Sequence, residues 1–144
     1  MNLPIKYPLF NTRLKKQKEQ TYIFDEVRKK WLVLTPEEWV RQHLIHFLIK
    51  EKKYPSSLIS IEKEIILNDL KKRYDIVVYN KQLKPILIIE CKAPYIDLDK
   101  TVVEQALRYN LIIKADYLMI SNGVSDFTFN SSNEQIILPD YLEL

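Results

Sequence analysis

The sequence predicts a mixed α/β fold in the order α-β-β-β-α-β: a mixed central sheet flanked by helices, with an extra N-terminal hairpin. Three observations carry this prediction. Three apolar, β-rich runs follow one another at residues 58–67, 72–80 and 85–92, with connections short enough to make an antiparallel meander. Segments with apolar residues at helical spacing stand before and after them. A further β-rich run follows the second helical segment, so the chain crosses over before it rejoins the sheet.

The elements follow in order. Residues 1–18 read as an extended, basic lead-in. Residues 20–24 and 30–34 are β-rich runs around the polar "DEVRK", a hairpin pattern. The first helix opens at "TPEEW", with Thr35 as N-cap, Pro36 at the first helical position and Glu38 closing a capping box. Val40, Leu44, Phe47 and Leu48 form its apolar stripe, and it ends near Lys52, because Tyr54 precedes a proline. A second helix spans about 98–114, with Val102, Val103, Ala106, Leu107 and Leu111 on its buried side. "DYLMISNG" is a strand ending in a turn, and "FTFN" and "QIILP" are short closing strands. No repeat or linker divides the chain. The expected organisation is one domain over 1–144, with an N-terminal extension and hairpin at 1–34 and a core at 35–130.

Composition narrows the function classes. At 144 residues and 47% hydrophobic, the chain has enough apolar material for one core. Its 22 basic and 19 acidic residues leave a charge of only +3, which permits nucleic-acid binding without demanding it. The one cysteine, Cys91, rules out an intrachain disulfide and a cysteine metal cluster. No stretch approaches the ~20 apolar residues of a membrane span, so a soluble, cytoplasmic protein with no membrane partner is expected. The one glycine, Gly123, excludes a P-loop and a dinucleotide fingerprint, both of which need several. Positive-φ turn positions are expected to fall to asparagine, with Asn80, Asn122 and Asn130 the candidates.

The informative stretch is "RYDIVVYNKQLKPILIIECKAP", two apolar strands that carry three charges. Both faces of 85–92 are apolar, as in a central, covered strand, yet Glu90 and Lys92 emerge together on one face at its C-terminal end. In the preceding antiparallel strand, Asp75 falls level with roughly Glu90. Any one of these charges is explained by fraying into solvent or by edge protection. Three at matched positions are better explained by pairing or by a metal, because unpaired buried charge costs several kcal/mol. Asp75, Glu90 and the backbone carbonyl of Cys91 offer the oxygens that a hard cation such as Mg²⁺ takes. Lys92 can orient a water or stabilise charge on a phosphate.

Asp75, fourteen intervening residues and then Glu90-Cys91-Lys92 resemble the D…ExK motif of the PD-(D/E)XK nuclease superfamily. The blocks "TPEEWVRQHLI", "KRYDIVVYN", "ILIIECKAP", "EQALRYN" and "YLMISNG" are similar to the N-terminal endonuclease domain of type I restriction enzyme R subunits. The similarity covers roughly residues 35–129 and implies a restriction-endonuclease-like core. It also implies a Mg²⁺-dependent DNA nuclease, with Mn²⁺ able to substitute. Asp75 and Glu90 would bind the metal with the Cys91 carbonyl, and Lys92 would assist the attacking water. Gln105 and Tyr109, four residues apart on one helix face, match the family's Q-x-x-x-Y and would position the lysine or the DNA. Glu38 matches the helix-borne glutamate of the metal shell, and serves equally well as a cap.

Tyr74 stands where the superfamily's name has proline. R subunits also carry an ATP-driven translocase, which leaves open action alone, partners on other restriction or motor chains, or a piece of something longer. Two further functions stay in view: a non-catalytic DNA-binding or subunit-interaction module, and a structural partner domain. Other residues have plainer readings. His43 and His46 lack a third ligand and read as surface or partial-core residues, Cys91 as a small buried hydrophobe, and Arg41 as a phosphate contact or a solvated charge. The basic runs at 13–18 and 71–73 offer a track for a DNA backbone.

Overall fold

The computed structural model describes residues 3–144. Two sheets organise them. The smaller is an antiparallel three-stranded sheet of β1 (Leu14–Gln17), β2 (Gln20–Asp25) and β3 (Lys30–Val33). The expected hairpin is β2–β3. β1 is an added strand, taken from the basic lead-in that the sequence left extended. Its turn into β2 uses Lys18 and Glu19, both in the left-handed region (φ 50° and 64°), the twist that a two-residue hairpin favours. Residues 1–2 of the expected lead-in lie outside the described residues.

α1 (Pro36–Lys50) follows. Thr35 Oγ1 accepts the Glu38 N–H at 3.0 Å, which satisfies one orphan donor of the first turn. The capping box closes on this side only. The Glu38 side chain turns instead to Arg41 and Gln42. α1 is covered on most of its circumference, since Glu38, Arg41, Gln42 and His43 are buried along with Val40 and Leu44. It lies between the small sheet, which packs Ile23 and Leu34 on Trp39, and the main sheet.

The main sheet has the order β4-β5-β6-β7-β8-β9. β4 (Ile59–Leu67), β5 (Leu70–Tyr79) and β6 (Pro85–Cys91) form the expected antiparallel meander. α2 (Lys100–Ile113) then crosses over to β7 (Tyr117–Ser121), which pairs parallel with β6. β8 (Asp126–Phe129) and β9 (Gln135–Ile136) close the sheet antiparallel. β6 is central, as its two apolar faces predicted. Ile89 and Cys91 pack toward α1 with Val40, Leu44 and Leu48, and Ile88 packs toward α2 with Ala106 and Ile113. Leu111 departs from the expected stripe and is exposed, while Asn110 is buried and holds Ala115 through two hydrogen bonds.

The turns correct one expectation. Asn80, Asn122 and Asn130 do not take positive φ; left-handed positions fall to residues such as Leu83, Asn133 and Gly123. The three asparagines act through their side chains instead. Each Oδ1 accepts two backbone N–H groups of its own turn. Gly123 has φ +84°, and a Cβ there would meet Ile5 Cδ1 at 2.7 Å. That close approach lets the N-terminal segment strap onto the sheet. Lys6 N–H donates to the Gly123 carbonyl at 2.7 Å, and the Tyr7 hydroxyl reaches Ser121 Oγ at 2.6 Å and Asp126 Oδ2 at 2.7 Å. Among the described residues no helix is long and apolar enough to cross a membrane.

Candidate active site

The site begins with a break in strand alternation. The β4–β5 register pairs Ile61 with Ile76 and Lys63 with Tyr74, and skips Glu62 and Asp75 between them. Glu62 is left-handed, with φ 52°. In a regular strand Tyr74 and Ile76 would share a face. Here Ile76 packs in the α1-side core and Tyr74 in the α2-side core. The strand turns over at Asp75, whose side chain leaves the ladder and bonds across to β6. Asp75 Oδ2 accepts the Cys91 N–H at 2.8 Å. The Asp75 carboxylate is thereby seated on the middle residue of Glu90-Cys91-Lys92.

The other oxygen of Asp75 meets α1. Arg41 Nη1 donates to Asp75 Oδ1 at 2.9 Å, and the same guanidinium grips Glu38 with Nε at 3.0 Å and Nη2 at 2.8 Å. Gln42 Nε2 donates to Glu38 Oε2 and Asp25 Oδ2, both at 2.9 Å. Arg28, at the β2–β3 turn, adds Nε to Asp25 at 2.8 Å and Nη1 to Glu62 at 2.7 Å, with Nη2 3.7 Å from Glu38. Four carboxylates and two guanidiniums thus join the small sheet, α1, β4 and β5.

The electrostatics differ along this network. Burial works against the Asp25 carboxylate. The Arg28 N–H, the Gln42 amide and the Arg28 guanidinium outweigh it and hold the group below the usual carboxylate range. Asp75 goes the other way. Burial pushes its carboxyl up to about 6, beyond what the Cys91 N–H and Arg41 offset, and Glu37 and Glu90 add to the rise. Loss of water, more than lack of a partner, is what disfavours the ionised form of Asp75.

Glu90 sits with a different partner. Lys72 Nζ lies 2.6 Å from its Oε1, and the same ammonium stands over the rings of Tyr74 at 5.0 Å and Tyr109 at 5.2 Å. Gln105 and Tyr109 share the wall of one open cavity of about 360 Å³ with Thr101, Arg108 and Ile112. Lys92 is half-buried; its N–H donates to the Ser121 carbonyl at 2.8 Å, and among the described residues its ammonium has no carboxylate partner. The structure brings Asp75 to the backbone of the Glu90–Lys92 segment, and Glu90 to Lys72 beside Tyr109. Asp75 and Glu90 hold separate cations, one from α1 and the other over a ring of α2. Both Glu38 oxygens are taken by donors.

Among the described residues, no three Asp, Glu, His or Cys side chains gather as a ready cation cage. The donor chemistry nevertheless suits a hard cation. Asp75 is a half-buried carboxylate seated on the Cys91 N–H, and Glu90 and the Cys91 carbonyl belong to that same strand segment.

Sequence reasoning missed Asp25, Arg28, Glu62 and Lys72, and it left Arg41 as a phosphate contact or a solvated charge. Arg41 is buried and ion-paired. The signal available was its place three residues after Glu38 on one helix face. Lys72 carried a weaker signal, as a cation in a strand neighbouring that of Glu90. His43 is buried, with Nδ1 2.8 Å from the Trp39 carbonyl oxygen, and Cys91 is a core residue as read.

The chain is 13% identical to a protein from Anabaena variabilis ATCC 29413 described as a nuclease of the DUF820 group. The match covers 90% of this chain and 88% of that one, with a TM-score of 0.54, and shows a shared fold. It is 17% identical to a fragment assigned to an HsdR subunit of a type I restriction enzyme from Vibrio vulnificus YJ016. That match has a TM-score of 0.48 and covers 67% of this chain and 21% of that one, so the protein spans about a fifth of that fragment. No curated protein matches at comparable strength. The family described as the type I restriction enzyme R protein N terminus matches residues 36–140, a span that includes α1, Asp75, Glu90, Lys92, Gln105 and Tyr109. By this match, over most of its length, the chain belongs to the family of type I restriction enzyme R protein N-terminal domains.

Proposed function

We propose that this nuclease-like domain hydrolyses DNA phosphodiesters with Mg²⁺, or Mn²⁺, as an endonuclease of the restriction type. The observation that supports this most is the bond from Cys91 N–H to Asp75 Oδ2, which seats a carboxylate on the backbone of the Glu90-Cys91-Lys92 segment. Asp75, Glu90 and the Cys91 carbonyl would hold the metal. When bound, such an ion supplies Lewis acidity toward a phosphate oxygen and a more acidic water. Lys92, free of any carboxylate among the described residues, orients the attacking water or meets charge growing on the phosphate. Gln105 and Tyr109 line the cavity beside Lys72 and Glu90 and position the DNA backbone or the lysine. Restriction or motor subunits on other chains are the partners this family membership suggests.

A second reading is a non-catalytic DNA-binding or subunit-interaction module on the same fold. One observation favours it: Asp75 and Glu90 each already hold a basic partner, as carboxylates do in purely structural ion pairs. Supercoiled plasmid incubated with Mg²⁺ or Mn²⁺ separates the two. The first reading predicts nicking by the parent and none by Glu90→Gln; an intact plasmid in both, with DNA bound, leaves the second.

A further inference from the structure

We infer that the outer face of the N-terminal three-stranded sheet is a second DNA-contacting surface, which grips the phosphate backbone of a duplex without reading its sequence. The inference rests on the proposed reading for its choice of ligand. One face of this sheet is committed to the interior, where Ile23 packs with Leu34 and Trp39. Alternation sends Tyr22 and Phe24 of β2 to the other face, and Phe24 meets Trp31 of β3 edge-on at 5.2 Å. Across these rings lie cations from the β1 side. The Arg13 guanidinium is 4.1 Å from the Phe24 centroid and 5.7 Å from Trp31. Lys15 Nζ is 4.5 Å from Trp31 and 5.8 Å from Tyr22.

Edge lysines that only prevent strand pairing need no particular address. These two are laid over the sheet face and steadied there by ring contacts, while Arg13 stays more than half exposed. Lys18 and Lys29, in the two turns of the sheet, extend the charge, and against these four cations stand Glu19 and Glu26; Lys16 and Lys30 alternate to the other face. Glu26 is shared at 3.6 Å between Arg13 and Lys29.

At the candidate active site Lys92 is the cation without a carboxylate partner among the described residues, and a duplex offers more phosphates than one ammonium meets. Arg28, Arg41 and Lys72 are spent on its carboxylates. The small sheet is fixed to that site, because Arg28 of the β2–β3 turn binds Glu62 and approaches Glu38. The rings are occupied by cations rather than open to bases, so the face suits phosphates and not base stacking.

The test measures binding of a labelled DNA duplex by fluorescence anisotropy in EDTA across a KCl series. The variants are Arg13→Met with Lys15→Met, Arg13→Lys with Lys15→Arg, and Lys92→Ala. Methionine keeps an apolar, polarisable stem on each ring while removing its charge, and urea midpoints report whether the sheet survives. The double methionine variant is expected to bind more weakly, with a log–log salt slope shallower by about 2. The charge-keeping pair should retain the parent slope, whereas Lys92→Ala loses only the one phosphate contact of the candidate site, a slope shallower by about 1. An unchanged slope in the double methionine variant overturns the inference, as does loss on Trp31→Ala alone with preference for single strands. So does binding of a polyglutamate peptide in place of DNA. Plasmid nicking is read separately. DNA binding through Arg13 and Lys15 without nicking leaves this surface and sinks the nuclease reading; nicking with an unchanged slope does the reverse.

Discussion

Arg41 Nη1 lies 2.9 Å from Asp75 Oδ1, so a buried guanidinium on α1 holds the carboxylate that β5 presents to Glu90-Cys91-Lys92. The same guanidinium is bidentate on Glu38, and it is the hinge of the whole network. A planar fork can serve two carboxylates at once, where a point charge cannot. A cation shared between Asp75 and Glu90 must compete with Arg41 on one side and Lys72 on the other.

Arg41→Met is therefore expected to strand Glu38 and Asp75 in a desolvated pocket, at a cost of about 3–5 kcal/mol. Urea denaturation of the purified variant measures this. Arg41→Lys should recover part of the loss and not all of it, since the ammonium cannot keep both Glu38 contacts. A cost below about 1 kcal/mol, the range of exposed pairs, would contradict the burial argument.

Divalent cations should stabilise the parent by binding the folded state. At a concentration a hundredfold above Kd, Mn²⁺ is expected to add about 2.7 kcal/mol, read as a rise in Tm. Asp75→Asn should abolish that rise while leaving the fold intact, since the amide oxygen still accepts the Cys91 N–H. An equal rise in the variant would place any bound metal elsewhere.

Acid should weaken the fold through His43. Burial lowers its pKa below the usual 6.5, against a smaller opposing effect of the Trp39 carbonyl. Below about pH 6.5 the unfolded chain binds a proton that the folded chain refuses, so stability falls as pH drops. His43→Phe keeps the ring between Trp39 and Phe10, and should lose less Tm between pH 7 and pH 5 than the parent does. Asp75, whose folded value of about 6 lies above 3.8, acts with the opposite sign in this window. It is common to both proteins and cancels in the difference. Parallel pH profiles would contradict the assignment.

The N-terminal strap should contribute measurably. Tyr7→Phe removes the hydroxyl from Ser121 Oγ and Asp126 Oδ2 and leaves Ser121 buried without that partner. The expected cost is about 1–3 kcal/mol in urea unfolding. A neutral result would mean that Lys6, bound to Gly123 and Asp126, carries the strap alone.

The order of elements was legible because period and length decide it: β4, β5 and β6 are long apolar runs on short turns, and the Thr35 cap marks the start of α1. The antiparallel β5–β6 register was also legible, since it follows from the turn, and its last rung before Asp75 leaves the ladder is the Ile76–Ile89 pair. The flip at Glu62 and Asp75 was not. It depends on a left-handed glutamate in β4, which no propensity announces. The partners of the carboxylates were equally hidden. Arg28 and Asp25 lie in the hairpin turn, and only the packing of the small sheet on α1 brings them to Glu38. β1 was lost for a similar reason: its four residues are exposed throughout, so no apolar alternation marks it.

The most direct test of the central claim is a plasmid cleavage assay with Mg²⁺ or Mn²⁺, with Lys92→Ala purified in the same way alongside. The account predicts nicking by the parent, none in EDTA and none by Lys92→Ala, with the variant's unfolding curve unchanged. Cleavage that persists in Lys92→Ala would contradict it, because the activity would then come from another site or another protein.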